Sequence, residues 1–257
     1  MLGLGVYQST PGSTTRDAVR EALGAGYRHI DTAAVYRNES DVGEAIRRTG
    51  VSRGEVFVTT KLWNSNHGYD SALRAFDRSL NRLGFEYVDL YLVHWPVPGK
   101  RLDTWRAMER ILADGRARAI GVSNYMPRHI DELLAHATVP PAVNQFELSP
   151  YLARWNLVNM CRELGIAVEA YSPLTKGLKL RDRALIEMGT KHDKSPAQIL
   201  IRWALDHDFI VIPKSIHPRR IHQNIDVFDF SLDAHDLASL DALDEGLVTG
   251  WDPTDAP

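Results

Sequence analysis

The sequence has little cysteine, little net charge and no long apolar run. Cys161 is the only cysteine in 257 residues, which excludes an internal disulfide and a metal centre held by several cysteines. With 30 Lys and Arg against 33 Asp and Glu, the net charge is -3, so a general attraction to nucleic acid is excluded. No stretch approaches the roughly 18 to 20 apolar residues of a membrane span, and no secretory signal opens the chain. We therefore expect a cytoplasmic protein that binds neither nucleic acid nor membranes.

The chain does contain enough apolar residues for a large core, and they are arranged in eight short runs. These runs begin near Gly3, Tyr27, Val56, Val88, Ala117, Ala142, Ile166 and Phe209. Successive starts lie 24 to 43 residues apart, which leaves room for a helix between neighbouring runs. This alternation predicts an α/β fold, and we favour one domain over residues 1–257, a (β/α)8 TIM barrel. Periodicity alone also fits an open doubly wound sheet.

Local signals predict where several helices begin and end. Ser195 followed by Pro196 is typical of a helix start, because serine caps the first turn and proline fits its first position. Glycine favours the left-handed conformation that often ends a helix. On this basis, helix ends are predicted at Gly24, Gly26, Gly84, Gly115 and Gly165.

Polar residues stand where most of the apolar runs end. They are Asp31, Lys61, His94, Ser123, Asn124, Asn144, Gln145, Tyr171, Ser172, Lys214 and Ser215. Any one of them could simply end a strand at the water interface. In a barrel, however, the carboxyl ends of all strands meet at one rim, where barrel enzymes build their active sites. Seven such strand ends therefore predict an active site at that rim.

Four side chains together suggest acid catalysis at a carbonyl group. Three of them, Asp31, Lys61 and His94, belong to this set, and the fourth, Tyr36, lies in the loop after Asp31. Lys61 ends an apolar run, so its ammonium needs a carboxylate partner, and Asp31 is the candidate. That pair could be purely structural. If Tyr36 lies nearby, its phenol can give a proton to a carbonyl oxygen while Lys61 favours the developing phenolate. His94 would orient the carbonyl, whose carbon then still needs a hydride.

Motifs along the whole chain resemble those of the aldo-keto reductases. The segments are HIDTAAVYRNE (29–39), TTKLW (59–63), LYLVHWP (90–96), IGVSNY (120–125), VNQFELSPY (143–151), AYSPL (170–174) and IPKS (212–215). The chain looks most like the prokaryotic branch that includes 2,5-diketo-gluconate reductases. The resemblance implies a TIM barrel that reduces aldehydes or ketones with NADPH. It also implies that Asp31, Tyr36, Lys61 and His94 form the catalytic tetrad.

The resemblance further implies where the cofactor and substrate bind. Ser123, Asn124 and Gln145 would hold the nicotinamide carboxamide, and Tyr171 would stack on its ring. Ser172, Leu174 and Lys176 match the loop beside the pyrophosphate, and Lys214, Ser215 and Arg220 match the clamp for the 2′-phosphate. Gln223 and Asn224 would contact the adenine, and Tyr7, Trp63 and Trp95 would line the substrate pocket. The alternative for the segment from Lys214 to Arg220 is a solvated basic loop.

The remaining expectations concern the chain ends and rival functions. The sequence begins almost on the first barrel strand, so we expect most of the N-terminal hairpin usual in the family to be missing. The short C-terminal tail of the sequence predicts an open pocket that Trp251 could reach. His217 and His222 have no evident third ligand, so we expect no metal. We expect a monomer. The rivals are an aldolase with Lys61 as Schiff-base lysine, a nucleotide-binding sensor without turnover, and an interaction protein.

Overall fold

Eight parallel strands form the centre of the molecule, as the sequence predicted. The computed structural model describes residues 1–256. The strands are β1 (Leu4–Gly5), β2 (His29–Asp31), β3 (Phe57–Leu62), β4 (Val88–Val93), β5 (Ala117–Ser123), β6 (Val143–Glu147), β7 (Ala167–Tyr171) and β8 (Ile210–Val211). Each strand pairs with the next along the chain. Gly3 N donates to Val211 O at 2.9 Å and Gly5 pairs with Lys214, so the segment around β1 closes the sheet against β8 into a barrel.

Ten α-helices accompany the strands within residues 1–256. They are α1 (Ser13–Gly24), α2 (Glu39–Arg48), α3 (Tyr69–Leu83), α4 (Arg101–Ala113), α5 (Pro127–Leu134), α6 (Trp155–Glu163), α7 (Arg183–His192), α8 (Pro196–Asp206), α9 (Pro218–Ile225) and α10 (Ala234–Asp241). Helix α8 begins as predicted, because Ser195 N donates to Gln198 Oε1 at 3.0 Å while Ser195 Oγ accepts from Gln198 N. Among the helices of residues 1–256, none has both the length and the hydropathy that a membrane span requires.

The predicted helix ends are confirmed at four of the five glycines. Gly26, Gly84, Gly115 and Gly165 have φ angles between 66° and 102°, the left-handed conformation that favours glycine. The left-handed cap predicted at Gly24 is wrong, since Gly24 is the last residue of α1 and the left-handed residue is Gly26. The predicted domain end at residue 257 lies outside the described residues.

Apolar side chains form two clusters on opposite sides of the barrel wall. The larger cluster lies between the strands and the surrounding helices. The smaller one contains Leu90, Leu92 and Val143, which alternate with outward-facing residues along β4 and β6 and so point into the barrel. Elsewhere the interior is polar, and it includes the buried side chains of Asp31 and Lys61. The barrel therefore brings charged groups into its centre, below the rim where the strands end.

Candidate active site

A cavity of about 1100 Å³ lies at the carboxyl ends of the strands. It is lined by these residues expected from the sequence: Asp31, Tyr36, His94, Asn124, Gln145, Tyr171, Ser172, Leu174, Lys176, Lys214, Ser215, Arg220, Gln223, Asn224, Tyr7, Trp63 and Trp95. Lys61, Ser123 and Asn144 do not line it. The barrel thus brings nearly all of the expected residues to one cavity, and the other three are buried outside its lining.

Lys61 is bound to Asp31 beneath the cavity. Its side chain is fully buried, and Nζ donates to Asp31 Oδ1 at 2.6 Å, Asp31 Oδ2 at 2.7 Å and the carbonyl oxygen of Thr32 at 3.0 Å. Asp31 Oδ2 also accepts from Gln145 Nε2 at 2.9 Å. These three bonds use the three N–H groups of the ammonium and offset the cost of burying it. A Schiff-base lysine has to meet its substrate, and this lysine does not reach the cavity surface.

Tyr36 lies in a short turn after β2 and reaches the cavity between other rings. Its ring centroid is 5.1 Å from that of Tyr7 and 5.7 Å from that of His94, and Lys61 Nζ is 5.2 Å from its centroid. Burial raises the pKa of Tyr36 well above its ordinary value of 10, and the negative charge of Asp31 adds to this rise. The phenol is therefore protonated at neutral pH, as a proton donor must be.

His94 follows β4 at the cavity floor. Burial, with a smaller contribution from the Lys61 charge, lowers the pKa of His94 well below its ordinary value, so the imidazole is neutral. Its Nδ1 has no hydrogen-bond partner in residues 1–256. The ring packs edge-on against Trp63 at 5.3 Å and is nearly parallel to Trp95 at 6.3 Å. A neutral imidazole held in this way can donate one hydrogen bond to a substrate oxygen.

A network of hydrogen bonds fixes the residues at the ends of β5 to β7. Ser123 Oγ donates to the carbonyl oxygen of Gln145 at 2.8 Å, which explains why this hydroxyl lies behind the cavity wall. Asn124 Nδ2 donates to the carbonyl oxygen of His94 at 3.0 Å, and Tyr171 Oη donates to Asn124 Oδ1 at 2.9 Å. Asn124 has a φ of 63°, a conformation that asparagine tolerates better than most residues. The network holds the Tyr171 ring at the cavity wall.

Two cations beyond β8 line the cavity. Lys214 follows the strand and Arg220 lies in the first turn of α9, and in the described part of the chain neither forms an ion pair with a carboxylate. Burial lowers the pKa of Lys214, as expected for an ammonium without an acidic partner. Ser215 Oγ accepts from His217 N at 3.1 Å and so shapes the turn. An ammonium and a guanidinium without acidic neighbours fit a dianionic phosphate.

The C-terminal tail lines one side of the cavity and is anchored by hydrogen bonds that the sequence reasoning missed. Glu147, at the end of β6, accepts hydrogen bonds from Thr249 N at 3.0 Å and Gly250 N at 3.2 Å. Lys176 Nζ donates to the carbonyl oxygen of Thr249, so the predicted pyrophosphate loop is tied to the tail. Trp251 lies 4.5 Å from Trp95 between ring centroids and lines the cavity. An acidic residue within the apolar strand β6 was the sequence signal for the tail anchor.

Comparisons with known proteins agree with this site. The model of the "Aldo/keto reductase family" matches residues 1–245. An aldo-keto reductase of Mycolicibacterium smegmatis is 51% identical over 98% of this chain and 92% of its own length. A glyoxal reductase of Bacillus subtilis is 46% identical over 98% of this chain and 91% of its own length. The solved structure of a Bombyx mori aldo-keto reductase in complex with NADP has a TM-score of 0.90 at 39% identity, and the match covers 96% of this chain and 90% of that one.

None of these three names the 2,5-diketo-gluconate reductases, so that branch assignment stays a prediction. Family membership is shown by the family match across most of the sequence and by relatives near 50% identity over almost its full length. The chain therefore belongs to the aldo/keto reductase family.

Proposed function

We propose that this protein reduces small aldehydes and ketones to alcohols, with Tyr36 as the proton donor. As an aldo-keto reductase it is an oxidoreductase that uses NADP(H). The proposal depends on one observation above all: Tyr36, His94 and Asp31 line the same cavity, with Lys61 bound to Asp31 directly behind it. These groups come from three separate parts of the chain, and the barrel rim brings them together.

The cofactor fits residues around the whole cavity. Asn124 and Gln145 would hold the carboxamide, with Ser123 behind the cavity wall bonded to the Gln145 carbonyl; Tyr171 would stack on the nicotinamide, and Ser172, Leu174 and Lys176 would flank the pyrophosphate. Gln223 and Asn224 would contact the adenine. Lys214 and Arg220, which lack acidic partners among residues 1–256, would bind the 2′-phosphate together with Ser215, and this favours NADPH over NADH. The bound cofactor supplies the hydride.

The protein supplies the proton and the orientation of the carbonyl. Tyr36 carries its proton at neutral pH and donates it to the carbonyl oxygen. Neutral His94 donates a hydrogen bond to the same oxygen and so fixes its position. Lys61 offsets the negative charge that remains on the phenolate, and Asp31 holds Lys61 in place. When an alcohol is oxidised, the same groups act in the opposite direction, and the phenolate of Tyr36 accepts the proton of the alcohol.

The substrate pocket favours small carbonyl compounds of several kinds. Tyr7, Trp63, Trp95 and Trp251 give it aromatic walls, and Tyr7 and Trp251 are themselves more than half exposed. A pocket open on that side accepts aldehydes, diketones and keto sugars without a tight fit to one of them. The Bacillus subtilis relative is named a glyoxal reductase, which makes dicarbonyl compounds the first class to test.

The test compares Tyr36→Phe with a matched control, Tyr91→Phe. Tyr91 is also buried, its hydroxyl has no hydrogen-bond partner within residues 1–256, and it lies outside the cavity. We expect Tyr36→Phe to lower kcat for methylglyoxal reduction about 100-fold or more, since a general acid typically contributes this much, while the Kd for NADPH stays nearly unchanged. Tyr91→Phe should keep both values.

Three results would contradict the proposal. Full turnover in Tyr36→Phe would remove the tyrosine from the mechanism. Tight NADPH binding without consumption across a panel of carbonyl compounds would favour the nucleotide sensor. Borohydride trapping of substrate on Lys61 without nucleotide would favour the aldolase, although the burial of Lys61 against Asp31 argues against it.

We also propose that the enzyme acts as a monomer in the cytoplasm with no nucleic-acid partner. The buried free thiol of Cys161, whose pKa burial raises to about 11, fits a reducing compartment, and the net charge of -3 offers no attraction for nucleic acid. Sedimentation of the purified protein tests the monomer, and a dimer at micromolar concentration would contradict it.

A further inference from the structure

A second cavity, of about 470 Å³, lies beside the active-site cavity at the same barrel rim. Its walls come from the turn after β2, the turn after β3 and helix α3. Its lining includes Val35, Arg37, Trp63, Asn66, Arg78 and Arg82. Val35 and Trp63 line the active-site cavity as well, so the two cavities are neighbours. We call the second cavity the arginine pocket.

Three guanidinium groups line the arginine pocket, and two of them have no carboxylate partner. The Arg37 side chain forms no hydrogen bond or ion pair within residues 1–256, and Arg78 donates to the neutral side chain of Asn66 at 3.0 Å. Arg82 pairs with Glu39 at 3.2 Å. Of the described residues that line the pocket, none is acidic. Three guanidinium charges and one carboxylate therefore leave two positive charges uncompensated.

The arrangement of these arginines adds no stability to the free protein. Arg78 and Arg82 are four residues apart on α3, a spacing at which like charges on a helix repel each other. Arg37 has a φ of 59°, a left-handed conformation that glycine or asparagine adopts more readily than arginine. An anion between the guanidinium groups would offset the repulsion. Guanidinium groups bind phosphate through pairs of charge-assisted hydrogen bonds, so the pocket fits such a ligand.

The arginine pocket begins one residue away from the proton donor. Arg37 follows Tyr36 directly in the chain, and Tyr36 lines the active-site cavity. Trp63, which lines both cavities, packs edge-on against His94 at 5.3 Å between ring centroids. A substrate whose carbonyl oxygen meets Tyr36 and His94 can therefore extend past Trp63 towards the arginines.

The arginine pocket is separate from the residues proposed to bind the 2′-phosphate of the cofactor. Lys214 and Arg220 line the active-site cavity beyond β8, and neither of them lines the arginine pocket. Bound NADPH therefore leaves the arginine pocket open to another anion. A phosphate monoester carries a charge of about -1.5 to -2 at pH 7, which matches two uncompensated positive charges better than a carboxylate does.

We propose that the arginine pocket binds the phosphate group of a carbonyl substrate, with Arg37 and Arg78 as its main ligands. The enzyme then prefers phosphate monoesters of hydroxyaldehydes and hydroxyketones to the same compounds without phosphate. This inference rests on the proposed carbonyl reduction and adds a substrate class to it. Free inorganic phosphate has the same oxyanion chemistry, and the experiment separates the two sources.

The experiment compares D-glyceraldehyde 3-phosphate with D-glyceraldehyde at saturating NADPH. The phosphate preference is the ratio of their kcat/KM values. Because both compounds present the same aldehyde, a change confined to the reacting groups leaves this ratio unaltered. Arg37→Gln and Arg78→Gln should each lower the ratio about fivefold or more, since each removes a guanidinium that donates to the phosphate. D-Erythrose 4-phosphate and D-erythrose repeat the comparison with a longer chain.

Arg74→Gln is the matched control for the loss of a positive charge. Arg74 lies one turn before Arg78 on α3, is also exposed and lies outside the arginine pocket. This variant should keep the wild-type ratio for both pairs of compounds. Added NaCl should lower the wild-type ratio, because salt screens exposed charges, and should change the ratio less in Arg78→Gln.

Inorganic phosphate distinguishes a substrate group from a free anion. At saturating NADPH it should compete with D-glyceraldehyde 3-phosphate, and Arg78→Gln should weaken this competition. Phosphate binding at Arg78, measured by ³¹P NMR, without any preference for the phosphorylated aldehydes would show a site for free anions and overturn the inference.

An unchanged ratio in Arg37→Gln, in Arg78→Gln and in the double variant, for both pairs of compounds, would also overturn the inference. All of these side chains are exposed, so we expect the variants to fold. Normal turnover of D-glyceraldehyde with an unchanged ratio contradicts the arginine pocket alone. No turnover of D-glyceraldehyde or any other aldehyde contradicts the proposed function itself, so the two failures are distinguishable.

Discussion

The Asp31–Lys61 pair offers the sharpest test of how charge is held inside the barrel. Lys61 is fully buried and Asp31 is 3% exposed, so Asp31→Asn leaves a buried ammonium without its carboxylate. Removing one partner of such a pair costs about 3 to 5 kcal/mol. For 257 residues, an unfolding entropy of about 2.1 cal/mol/K per residue converts this to a fall in Tm of about 6 to 9 °C. We expect this shift by differential scanning calorimetry at pH 7.

Two controls separate burial from the loss of charge as such. Asp103→Asn removes the partner of Arg106 in an exposed ion pair and should cost less than about 1 kcal/mol, or about 2 °C. Asp31→Asn combined with Lys61→Met removes both charges and should recover much of the lost stability. The reasoning is refuted if Asp31→Asn is as mild as Asp103→Asn, or if the double variant is no more stable than the single one.

The remaining predictions concern cofactor choice and pH. Replacing Lys214 or Arg220 by Ala should weaken NADPH about 10- to 150-fold while NADH changes little, since one charge-assisted hydrogen bond to the 2′-phosphate is lost. Fluorescence titration with both cofactors measures this, and equal weakening of both would place the phosphate elsewhere. Because burial on β7 raises the pKa of Glu169 to about 8 from 4.5, the folded state holds a proton that the unfolded state loses, and the free energy of unfolding should fall from about pH 5 to pH 8. Glu169→Gln should show a smaller fall in urea denaturation at pH 5.5 and 8.5, and an equal fall would refute the assignment.

Several features of the fold followed from local sequence alone. Period and composition predicted all eight strands, because strands buried between barrel interior and helices need apolar runs. Strand ends were less accurate, since β6 continues past Gln145 to Glu147 and β8 ends at Val211, two residues before Pro213, which has no N–H to donate.

The sequence by itself determined which chemistry stands at the barrel rim, because the geometry of a parallel barrel sends every strand end to the same side. Only the tertiary structure decided which of those groups face the cavity. Lys61 and Ser123 lie behind its wall because their hydrogen bonds reach Asp31 and Gln145, far away in sequence. The tail anchored on Glu147 joins residues about 100 positions apart, and the charge on Glu169 depends on neighbours from other strands. Such contacts join residues on different strands and loops. The periodicity of a local segment does not tell how close those residues come or how far they are buried from solvent.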